Sequence, residues 1–162
     1  MILSLVISSH ALAVDPLAQA NCQKEYLSLF AEEEINMTVA FGYDDVSEKL
    51  TNDQKSLDVF VKTLTAKCAN IGQRICGFTL KSTRPHRLVK RVFGPDGRLK
   101  TLKITADNSS VTNDNVANRK NPLQKLQTES VQNLFLKGLE SSEVTIYMGH
   151  SRDGWGSKLC TT

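Results

Sequence analysis

The chain has 162 residues, 40% hydrophobic and 23% charged, which fits one globular domain around a single core. A formal net charge of +3 is too small to imply a nucleic-acid partner by itself, so the placement of the charges matters more than their sum.

Residues 1–13 read as a signal peptide. A short apolar run, ILSLVI, is followed by Ala11-Leu12-Ala13, the small-x-small pattern that signal peptidase cuts, and the run is too short to cross a bilayer. Export as a periplasmic or secreted protein follows as an expectation, with residues 14–162 forming one α/β domain. In an oxidising compartment Cys22, Cys68, Cys76 and Cys160 suggest paired disulfides. Cys68 with Cys76 is the favoured pair, because the intervening ANIGQRI can turn the chain back to bridging distance, which leaves Cys22 with Cys160. No CxxC is present and His10, His86 and His150 lack ligand spacing, so neither a metal nor any other cofactor is expected.

Residues 23–34 place Tyr26, Leu27, Leu29 and Phe30 among charges and suggest a short helix. Asn36 to Tyr43, NMTVAFGY, is the near-continuous apolar run of a parallel strand buried on both faces, and it ends in Asp44-Asp45. Over residues 53–68, Leu57, Phe60, Val61, Leu64 and Cys68 recur at helical spacing, with Thr51, Asn52 and Asp53 as candidate caps. Ile75 to Lys81 is the next expected strand, completing a βαβ unit. Arg87 to Phe93 and Arg98 to Thr105 flank Gly94-Pro95-Asp96-Gly97, a turn sequence that predicts a β-hairpin. Residues 107–127, rich in Asn, Ser, Thr and Asp, carry little apolar periodicity and are expected to form a long surface loop. A helix is predicted over Thr128 to Leu139, with Val131, Leu134, Phe135, Gly138 and Leu139 on one face, and a strand over Val144 to Met148. The order implies an α/β fold of three-layer-like sandwich type, with a mostly parallel sheet and an inserted β-hairpin.

The hairpin concentrates positive charge. Lys81, Arg84, Arg87, Lys90, Arg91, Arg98, Lys100 and Lys103 crowd residues 81–103 with Asp96 as the only acid. One function class is therefore a non-catalytic, envelope-associated binding module presenting Arg87, Lys90, Arg91, Arg98 and Lys100 to an acidic polymer. Scarce aromatic interleaving argues against nucleic acid, and a solvated edge guarded by Lys and Arg has the same appearance.

The second class rests on EVTIYMGHSRDGWG, residues 143–156, where an apolar strand gives way to a glycine-rich polar loop. Reactive groups in open α/β sheets collect beyond the carboxyl ends of strands, which makes His150 the candidate catalytic residue, with Arg152 and Asp153 as supporting residues. The strand ending in Asp44-Asp45, helix 53–68, the hairpin, helix 128–139 and VTIYMGHS together resemble, over residues 35–156, the amino-terminal half of the caspase and gingipain group of cysteine peptidases, truncated or degenerate here. The motif beneath that resemblance is the strand-Gly-His step alone. It implies that His150 acts as general base towards a thiol, with a peptide as partner. In that group the nucleophile ends the following strand. Cys160 lies too close to His150 for a crossover helix and strand, so the nucleophile strand is not visible in the sequence.

Gly149-His150-Ser151 also resembles the start of an α/β-hydrolase elbow with Ser151 as nucleophile. Asp153 stands where that turn needs a small residue, and no acid or histidine follows in the expected order.

Overall fold

The computed structural model describes residues 21, 24–28, 31–42, 51–69 and 75–149. His150, Ser151, Arg152, Asp153, Cys22, Cys160 and the Asp44-Asp45 step lie outside these residues. Five strands form one sheet: β1 (Glu34–Phe41), β2 (Thr79–Thr83), β3 (His86–Phe93), β4 (Leu99–Asn108) and β5 (Val144–Met148), in the order β2-β3-β4-β1-β5. β1 pairs in parallel with both β4 and β5, whereas β3 is antiparallel to β4 and to β2. Four strands therefore run one way and β3 alone runs against them. The α/β class with a mostly parallel sheet is as the sequence implied.

Helices cover the sheet from both sides. Met37, Val39 and Phe41 of β1 point towards α1 (Asn52–Thr65), where they meet Leu57, Phe60, Val61 and Leu64, and the Phe41 and Phe60 rings make an edge contact at 5.7 Å. The alternate residue Thr38 points to the other face, against Gly138 of α3 (Gln124–Ser141). This is the period-two alternation of a strand buried on both faces. Phe78, Leu88, Ile104 and Ala106 complete the α1-side core.

On the α3 side the approach is close enough to need glycine. A Cβ on Gly138 would stand 2.7 Å from Thr38 Cβ, so the helix backbone lies directly on the sheet. Thr38 and Ser142 share a hydroxyl hydrogen bond of 2.9 Å beside this contact, and Phe135 meets the Tyr147 ring edge-on at 5.6 Å.

Several expectations need correction. The helix expected over 23–34 does not reach its end: residues 24–28 are helical, but β1 already begins at Glu34. β2 starts at Thr79 rather than Ile75, because the preceding residues are tied to the end of α1: Gly77 N–H donates to Ala66 O and Phe78 N–H to Leu64 O. The Cys68–Cys76 disulfide fastens the same junction, with the Cα atoms 5.3 Å apart. Of the candidate caps of α1, Thr51 does stand at the N-cap position. Thr51 makes no capping bond, its hydroxyl donating instead to Thr112 O, and Asp53 is buried against serines. Leu139, placed on the packing face by its spacing, is 60% exposed.

The largest departure is the expected loop 107–127. β4 continues to Asn108, a helix α2 spans Asn115–Lys120, and α3 begins at Gln124. Asp114 caps α2, its carboxylate accepting from Val116 N–H and Ala117 N–H at 2.8 and 3.0 Å. Gln and Lys residues favour helix without marking an apolar stripe, so periodicity did not reveal this start of α3.

Candidate functional site

The parallel strands bring β1, β4 and β5 to one edge of the sheet with their carboxyl ends together. Gly42 N–H donates to Met148 O at 2.8 Å, and Ser109 N–H donates to Phe41 O at 3.1 Å, so the three strand ends are fastened to one another. The Tyr147 ring lies across this edge, and a Cβ on either Gly42 or Gly149 would collide with it. The glycine before His150 thus has a packing reason of its own.

Beyond β4 the chain is held by side chains rather than by apolar packing. Asn118 is fully buried: its Oδ1 accepts from Thr112 N–H and Thr112 Oγ1, and its Nδ2 donates to Thr112 O at 2.8 Å. Gln124 accepts from Val111 N–H and donates to Ser109 O, while Gln127 Nε2 donates to Asn108 O at 2.6 Å. Asp53, 4% exposed in the first turn of α1, accepts from Ser110 Oγ at 2.9 Å. These amides satisfy backbone groups that a buried loop would otherwise leave without partners. The Ser110 proton is committed to Asp53, which makes the pair a structural tie.

Beside this caged segment a cleft of about 240 Å³ opens over the ends of β2 and β4. It is lined by Thr83, Arg84 and His86 around the β2–β3 turn, by Gln54 and Asp58 of α1, and by Asp107, Ser110 and Gln127. Burial pushes the Asp107 carboxyl above its ordinary value, opposed by the Asn108 N–H, His86, a hydrogen bond from Gln127, and Arg84. His86 Nδ1 and Gln54 Oε1 are both buried without a hydrogen-bond partner among the described residues. Sequence reasoning ended the second hairpin strand at Thr105 and so missed the cleft. Extending that strand to Asn108 would have put Asp107 at a parallel strand end, where functional polar residues gather.

The expected basic face is divided by the register of the hairpin. Arg87 and Arg91 pair with Thr105 and Thr101 and share one sheet face, whereas Lys90 pairs with Leu102 and stands with Lys100 on the α1 side. Lys90 donates to Cys76 O and lies over the Phe78 ring. Lys100, 2% exposed, reaches Asp96 at 3.1 Å and donates to Ala31 O and Glu32 O. Lys103 pairs with Glu34 at 2.6 Å in the open, a contact of small energetic weight. The exposed Arg98 sits in the turn, its N–H bonded to Asp96, which chiefly holds that carboxyl below its ordinary value. Among the described residues no three His, Cys, Asp or Glu side chains gather as a metal site needs, and no helix is long and apolar enough to cross a membrane.

No protein-family model, curated protein or solved structure matches this chain.

Proposed function

We propose that this protein is an exported Cys-His hydrolase of the caspase and gingipain type, in which His150 serves as general base towards a thiol on a strand lying beyond β5. The observation that supports it is the order β4-β1-β5. The central strand is flanked on both sides by parallel partners with their carboxyl ends aligned, and β5 runs through Gly149 directly to His150 in the sequence. The outer edge of β5 pairs with no other described strand, which leaves a place in the sheet for the strand that would carry the cysteine. Leader-like residues 1–13 and the Cys68–Cys76 disulfide suit an oxidising compartment.

In this reading the imidazole takes the thiol proton, the thiolate attacks a peptide carbonyl, and the imidazolium returns the proton to the leaving amine. Arg152 and Asp153 are the candidates to orient the ring. The test is cleavage of a peptide library by the full-length exported gene product and by its His150→Ala variant. Loss of about 10²-fold or more in rate, with an unchanged melting temperature, is expected. No cleavage by the unaltered product, or cleavage that survives the substitution, overturns the proposal.

A further inference from the structure

The two edges of the sheet differ in charge. β5 at one edge carries no charged residue, whereas β2 and β3 at the other carry Lys81, Arg87, Lys90 and Arg91 and no acid. Lys90 is held inside the fold by Cys76 O. The side chains of Lys81, Arg87 and Arg91 are exposed and make no hydrogen bond or ion pair with any described residue. Alternation along β3 puts Arg87, Val89, Arg91 and Phe93 on the sheet face that α3 contacts only at β1 and β5, and Arg87, Arg91 and Phe93 are exposed there.

This cationic face ends in an apolar pair. Phe93 stands across the hairpin from Leu99, and the two are 74% and 40% exposed. The turn between them adds the exposed Pro95 and Arg98 and is well fastened: Gly94 N–H donates to Arg98 O at 2.8 Å, and Lys100 neutralises Asp96 at 3.1 Å. Of the acids at this end of the sheet, Glu34 pairs with Lys103, while Glu32 and Glu33 lead into β1, with β4 between them and β3.

The combination narrows the partner. An edge guarded only against strand pairing needs the charges but not the apolar pair. An acidic polymer matches the cations but offers an aliphatic side chain such as Leu99 nothing to bury against. An anionic bilayer surface matches both, because its phosphates attract Lys and Arg while its interfacial layer buries Phe and Leu. We infer that the β2–β3 edge and the β3–β4 turn dock on an anionic lipid surface, with Phe93 and Leu99 entering the interfacial layer and Arg87, Arg91 and Arg98 lying on lipid phosphates. This surface is at the opposite edge of the sheet from β5, so it stands or falls independently of the hydrolase reading.

Co-sedimentation of the full chain with vesicles of phosphatidylcholine and phosphatidylglycerol in equal parts, against phosphatidylcholine alone, tests the inference. Binding to the anionic vesicles is expected to be at least about tenfold stronger and to weaken as salt rises from about 0.1 to 0.5 M. Arg87→Gln with Arg91→Gln should lower the partition coefficient by about tenfold or more, and Phe93→Ser with Leu99→Ser by a similar factor. Both double variants should melt near the parent temperature, because all four side chains are exposed. No binding to anionic vesicles, equal binding to neutral ones, or binding that either folded double variant leaves unchanged overturns the inference. Retention on alginate that depends on the two arginines and not on Phe93 and Leu99 would assign the face to an acidic polymer instead.

Discussion

The two sides of this sheet bury chain by different means. On the α1 side Val39, Phe41, Leu57, Leu88 and Ile104 exclude water as apolar surface, a non-directional stabilisation proportional to area. On the α3 side and beyond β4, Asn118, Gln124, Gln127 and Asp53 do so as a hydrogen-bonded cage, and Thr38 meets a glycine rather than a large side chain. The apolar side tolerates changes that keep volume and shape, whereas the polar side depends on each donor keeping its acceptor. The cleft over β2 and β4 opens where these two constructions meet, with Leu57 and Gln127 both in its lining.

Equilibrium urea unfolding would break the comparison most directly. Leu57→Ala should lower stability by about 3–4 kcal/mol through lost burial and the cavity left behind. Asn118→Ala should cost about 2–3 kcal/mol, because the Thr112 N–H and carbonyl lose their partners in a part-buried site. A cost below about 0.5 kcal/mol for the asparagine would mean that the cage is solvated and contributes little.

Gly138→Ala sharpens the contrast by setting two principles against each other. Helix propensity favours alanine by about 1 kcal/mol, but the added methyl meets Thr38 Cβ at 2.7 Å and should reverse the sign, for a net loss of about 1 kcal/mol. A thermal melt that rises would show that α3 stands off the sheet in solution.

The smallest effect expected is at Asp107. Burial raises its folded value above the usual 3.8, so its favourable contribution to folding is complete below that pH and is lost as pH rises through the raised value. Asp107→Asn removes this ionisation. The stability difference between parent and variant should therefore shift in the variant's favour as pH rises from about 4 towards 7, read from urea midpoints across that range. A pH-independent difference would place the carboxyl in free solvent.

The sequence was most informative where burial is apolar. NMTVAFGY announced β1, the 57–64 spacing announced α1, and Gly-Pro-Asp-Gly announced the β3–β4 turn, each through a period or a dihedral requirement that a single segment carries within itself. Cys68–Cys76 was legible for the same reason, since a short intervening segment limits how far its ends can part. The amide cage was not, because Asn and Gln mark loops and buried scaffolds alike until their partners are known.

Only the tertiary structure decided which strands became neighbours, and with them which charges act together. It put Lys90 and Lys100 on the face opposite Arg87 and Arg91, and it brought Arg84, His86, Gln54 and Asp107 around one cleft from three separate segments. Periodicity is a local property of the chain and survives in the sequence. Pairing register and the convergence of distant polar groups depend on packing between elements, so no single segment encodes them.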